Sequence, residues 1–140
     1  VYTWYANRAS KLAPKPADVK YPIWVSLVEE NALANDSDTV LLELEVEDAS
    51  VVEVDYEKWG YVVNYMYIPK DKQDLENHQK LLTKYGVDDP GAYMSAFYPA
   101  IKKKIIGSWD RLFEKGSIAE TGVRMGTLWE IRKEWIRKIT

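Results

Sequence analysis

The apolar residues of this chain change period four times, and the order of those changes limits the folds open to it. From Tyr21 to Val28 they alternate, with Ile23, Val25 and Leu27 on one face and Trp24, Ser26 and Val28 on the other, the pattern of a strand. Alternation resumes from Thr39 to Glu47, where Val40, Leu42, Leu44 and Val46 oppose Glu43, Glu45 and Glu47. The polar stretch Asn35-Asp36-Ser37 predicts a turn between them, hence a hairpin with one wet, acidic face, and Val51 to Val54 predicts a further pairing at the edge. The period then becomes helical. Asp55 stands at an N-cap position ahead of Trp59, Val62, Val63 and Met66, and Pro69 closes the segment. Leu75, His78, Leu82 and Tyr85 form the next stripe, ended by Gly86 as a left-handed cap. Asp89-Pro90 opens another helix, broken at Pro99. Ile101, Ile105 and Leu112, with Ile106, Trp109 and Phe113 beside them, predict a long core-facing helix that runs to Gly116. Alternation returns from Gly122 to Ile131, and Trp135, Ile136 and Ile139 predict a short closing helix. A helix through Val1, Tyr5, Ala9 and Leu12 opens the chain and stops at Pro14 and Pro16. Strands, then helices, then a strand specify an α+β class: a small, mainly antiparallel sheet of an early hairpin plus a late strand, packed with about five helices.

A length of 140 residues suits one domain over 1–140. Zero cysteines and one histidine exclude disulfides, thiolate zinc, iron–sulfur clusters, cysteine nucleophiles and multi-histidine metal centres, so no metal is expected. There is no P-loop, and Gly116, Gly122 and Gly126 lack the dinucleotide-fingerprint spacing. A net charge of -3 argues against general nucleic-acid binding. No apolar run reaches the roughly 18 residues of a membrane span, and the first residues do not read as a signal peptide. A cytoplasmic protein with no membrane partner is expected, in which the sequon at Asn35 has no use.

Six Trp and ten Tyr against two Phe give almost every ring a polar handle, which suits surfaces that are half dry and half wet. Trp59, Trp109, Trp129 and Trp135 fit a small core, whereas Trp24, Tyr61, Tyr65, Tyr67 and Tyr98 lie off the apolar stripes. Arg8 sits one turn after Trp4 and can stack on it. Glu43, Glu45 and Glu47 read as a solvated sheet face, His78 as a core histidine with one hydrogen bond, and Lys102-Lys103-Lys104 as a solvated helix face. Glu130 falls in the predicted last strand, where a carboxylate needs a partner such as Arg124 or Arg111.

Five segments in order, Tyr21-Pro22-Ile23-Trp24, Val40 to Val46, Asp55 to Asn64, Ser108 to Phe113 and Thr127 to Arg132, resemble the bacterial and phage family catalogued as domain of unknown function 3841. That family has no assigned activity to carry over. It usually begins with a Trp-bearing strand ahead of the helix that here starts at Val1, so a missing upstream strand is expected, and Gly60 stands where the family often has histidine. Apart from that likeness, the excess of Trp and Tyr off the apolar stripes suggests a small binding module whose Trp/Tyr-rich cleft holds a partner protein or a small-molecule ligand. Trp24, Trp59, Tyr65 and Trp109 are its expected anchors, Arg111 and Glu130 its polar contacts, and it needs no cofactor. More distantly, the chain is similar to NAD-dependent ADP-ribosyltransferase-like domains. Under that alternative NAD is the cofactor, Glu130 the polarising carboxylate, and Arg111 or Arg124 the phosphate contact.

Overall fold

A computed structural model describes residues 1–32 and 37–140, so the sequon at Asn35 lies outside the described residues. The chain is α+β, with five helices and two small antiparallel sheets among the described residues. It divides into two compact units, Val1–Glu53 with Arg124–Thr140, and Val54–Val123. No helix among the described residues is long and apolar enough to cross a membrane.

The first unit holds helix α1 (Tyr2–Ala9) and strands β1 (Ile23–Ser26), β2 (Leu42–Leu44), β4 (Arg124–Leu128) and β5 (Ile136–Ile139), together with the start of β3 (Val52–Asp55). The early strands do not form the expected hairpin. Strand β1 pairs antiparallel with β4, with Trp24 opposite Thr127 and Val25 opposite Gly126, and the sheet order is β1-β4-β3. Strand β2 pairs instead with β5, where Leu42 faces Ile139 and Glu43 faces Lys138. The residues read as a closing helix therefore form only a 3₁₀ turn, Lys133–Trp135, followed by that strand. Four residues are too few to separate a helical from an alternating period, and pairing to β2 decides the outcome. The edge pairing expected near Val51 to Val54 is present as β3.

Position 126 must be glycine because a Cβ there would lie 2.8 Å from Val51 Cγ1 and 3.0 Å from Leu27 Cδ2. Tyr5 is wholly buried, its hydroxyl 2.6 Å from Thr127 Oγ1 and its ring 5.0 Å from that of Trp24. Burial pushes the Tyr5 phenol up to about 12, against a smaller lowering by the Thr127 contact. Trp129 is also buried, and its Nε1 donates to Ala13 O at 2.7 Å.

The second unit holds α2 (Tyr56–Val63), α3 (Lys72–Tyr85), α4 (Asp89–Met94) and α5 (Pro99–Ser108), with a 3₁₀ segment Trp109–Phe113 continuing from α5. Its caps are local and legible. Asp55 accepts from Glu57 N and Lys58 N, Asp71 accepts from Asp74 N, and Gly86 ends α3 at φ +63°. Helix α2 stops six residues before Pro69, at Val63, and Tyr65 takes φ +60° after it, the single non-glycine residue with positive φ among those described. The cap of α4 is Asp88, which accepts from Gly91 N, and not Asp89. That shift by one residue leaves the Asp89 carboxylate to the interior. Helix α5 does not run on to Gly116 but tightens at Trp109, which re-aims Asp110 and Arg111. Val54, Trp59, Val62, Ile68, Ile105, Trp109 and Leu112 form the core of this unit.

Candidate functional site

The expected anchors are divided between the two units. Trp24 belongs to the first unit, half-buried and tilted against Tyr5, while Trp59, Tyr65 and Trp109 belong to the second. Trp59 and Trp109 are interior residues, and Trp109 Nε1 donates to Met66 O at 2.9 Å. Tyr65 reaches Trp109 through Tyr93, with ring centroids 4.5 Å apart for Tyr65–Tyr93 and 5.7 Å for Tyr93–Trp109. Of the core tryptophans expected from the sequence, Trp135 alone is half-exposed.

Glu130 corrects a second expectation. Strand β4 ends at Leu128, and Trp129 is tied to Ala13, so Glu130 lies beyond the ladder. Its side chain is 44% exposed and meets Arg132 at 2.8 Å, not Arg111 or Arg124. Arg124 faces Glu53 at 3.4 Å. The acidic face of β2 is matched by cations, with Glu43 opposite Lys138 and Glu45 bound to Arg137 at 2.8 Å. Lys102 and Lys104 are drawn over rings, 4.7 Å from the centroid of Tyr93 and 5.0 Å from that of Tyr67, and so differ from the expected solvated run.

In the second unit the polar residues converge. His78 is buried on α3, stacked 4.0 Å from the Tyr67 ring, with Nε2 2.6 Å from Asp89 Oδ1. Asp89 Oδ2 accepts from Tyr67 N at 2.9 Å, so one carboxylate holds both partners of the stack. The Tyr67 hydroxyl donates to Asp74 at 2.9 Å and accepts from Arg111 Nη1 at 3.3 Å. Burial is the largest influence on Tyr67 and raises its pKa. Burial alone would raise Asp74 as well. The Lys70 N–H, the Tyr67 hydroxyl and the charges of Arg111 and Lys104 together outweigh it and hold the carboxyl below its ordinary value.

Arg111 also donates from Nη1 to Ile68 O at 2.9 Å, and its charge lies 3.8 Å from Asp74. The guanidinium carbon also lies 5.5 Å from the Tyr67 ring centroid, and among the described residues no hydrogen bond or ion pair is made by its Nη2 or Nε. The guanidinium is thus anchored along one edge beside a cleft of about 460 Å³, lined by Lys70, by Gly107, Asp110 and Arg111, and by the turn 114–117.

That turn is held from behind by Lys58, whose side chain is fully covered. Its Nζ donates to Arg111 O at 2.7 Å, to Glu114 O and to Glu120 Oε1 at 2.9 Å. The Lys58 contact is the main influence on Glu120 and lowers its pKa. Glu120 Oε1 in turn accepts from Gly116 N, and Ser117 donates its hydroxyl to Pro69 O. Sequence reasoning missed Lys58, Glu120, Asp74 and Asp89. One signal was present: Lys58 lies four residues before Val62 and so shares its buried face.

No curated protein and no solved structure matches the chain. Residues 1–137 of its 140 match the family described as a domain of unknown function (DUF3841), and the chain belongs to that family.

Proposed function

We propose that this protein is a small-ligand binding module, acting in the cytoplasm of a bacterium or of a phage-infected cell, whose site is the cleft at Arg111. One observation carries the reading: a guanidinium fixed by Ile68 O and the Tyr67 hydroxyl keeps its remaining donors uncommitted at the wall of a ligand-sized hollow. The aromatic residues then support the site from within instead of lining it. Trp109 ties α5 to Met66, and Tyr67 sets the arginine. Rigid backing of this kind lowers the ordering cost of capture. The transferase alternative rests on Glu130, which lies beyond the end of β4 and meets Arg132 at 2.8 Å.

A nuclear magnetic resonance screen of the full chain tests the reading, using water-soluble fragments of neutral, cationic and anionic type, with NAD as a separate sample. Saturable shifts clustered on the amides of Gly107, Arg111, Gly116 and Ser117 are the expected result. Fragments that bind only elsewhere, or none that bind, would overturn it.

A further inference from the structure

We infer that the ligand of this cleft is a small polyanion with a hydrophilic body, of the sugar-phosphate or di- and tricarboxylate class. The inference rests on the Arg111 cleft being a ligand site and adds the chemistry of what it holds. Three cations line the space, Lys70, Arg111 and Lys115. Neither lysine ammonium has a partner among the described residues, and Asp74, the carboxylate within ion-pair range of Arg111, meets its anchored Nη1. Against them stand Asp110, which already has an interaction within the protein, and Glu114, which is exposed as both lysines are, so one open carboxylate faces two open ammonium groups. The uncommitted charge is therefore positive. A planar guanidinium presenting Nη2 and Nε matches two oxygens of a phosphate or carboxylate, and the lysines supply point charges for further anionic groups.

Size and lining narrow the class. A hollow of about 460 Å³ exceeds the needs of one inorganic ion and lies within the span of small-molecule sites. No aromatic ring lines it, since Tyr67 and Trp109 are buried behind, so a nucleobase would find no stacking shelf. Gly107 lines the same space, and a Cβ there would meet no atom within 4 Å. A larger side chain at that position would fill the cleft without displacing the protein.

The experiment titrates inorganic pyrophosphate, citrate and glucose into the full chain, followed by amide shifts and calorimetry. Saturable binding of pyrophosphate or citrate at Arg111, Gly116 and Ser117 is expected, weakened by salt. Pyrophosphate alone would assign phosphoryl groups, citrate alone carboxylates, and either supports the inference. The Lys70→Ala/Lys115→Ala double variant should lose about tenfold in affinity or more while its melting temperature holds, because neither ammonium has a protein partner. Arg111→Lys should weaken capture further by removing the fork, and Gly107→Leu should block it. If neutral fragments bind the cleft and both anions fail, the polyanion inference falls while the binding module stands. If nothing binds the cleft, both fall. Anion binding unchanged in the double-lysine and Gly107→Leu variants would likewise overturn the assignment.

Discussion

Arg137 and Glu45 in the first unit meet at 2.8 Å with 51% and 75% of their side chains exposed, whereas Lys58 and Glu120 in the second meet at 2.9 Å with the lysine fully covered. The distances are nearly equal, but the surroundings are not. Water screens the first pair and already solvates either ion well when they part. The covered ammonium has no such alternative, and its two backbone carbonyl partners would lose their donor with it. The same contrast separates Glu130–Arg132, exposed on both sides, from His78–Asp89, buried on both. Charge in one unit decorates strands and turns. In the other it fixes the turn that forms the cleft.

The sharpest test removes the buried ammonium. Lys58→Ala should cost about 3 kcal/mol in urea unfolding, since it strands two carbonyls and the Glu120 carboxylate. Lys58→Met, which refills most of the volume, should cost less. A loss below about 1 kcal/mol for the alanine variant would erase the distinction between the units.

Acid provides a second test, of intermediate size. Asp74 and Glu120 have folded pKa values below their ordinary ones of 3.8 and 4.5, so the stability they contribute is present above those ordinary values and is lost as pH falls through the folded ones. Tyr5 in the first unit acts at the opposite end. Its folded pKa is raised from 10.0 to about 12, so its contribution is complete below 10.0 and is lost as pH climbs through that interval. Unfolding followed across pH should show Glu120→Gln flattening the acid limb alone and Tyr5→Phe the alkaline limb alone. A single limb responding to both substitutions would contradict the assignment.

Arg137→Ala marks the small end of the comparison. It should change stability by under about 0.5 kcal/mol, read as an unshifted urea midpoint, and a loss as large as that of Lys58→Ala would show that exposure does not set the scale.

What could be read from the sequence divides by distance along the chain. Asp55 and Gly86 were legible because a cap depends on donors and acceptors within four residues. The α+β class was legible because period changes survive errors at element boundaries. Pairing of β1 with β4 was not, since a strand's alternation states which face is apolar and not which strand will lie beside it. Asp88 and Asp89 show a finer limit. Either could cap α4 by composition, and the choice falls to Asp88 because Asp89 is taken by His78 and Tyr67, from segments elsewhere in the chain. At the candidate site, Arg111 was named for its residue type, whereas Glu130 was misplaced by extending a strand to Ile131, three residues beyond its end. Lys58 was passed over because lysine is seldom covered, although its helical phase pointed inward.

Tyr56 N donates to Val123 O at 2.7 Å, and Asp55 Oδ2 accepts from Thr121 N and Gly122 N. The stretch Val54–Val123 thus begins and finishes at a shared doorway, clipped shut by a single carboxylate. A segment closed in this way can be lengthened or trimmed between its ends while its two threads still emerge side by side, because the clasp is built from residues at those ends alone.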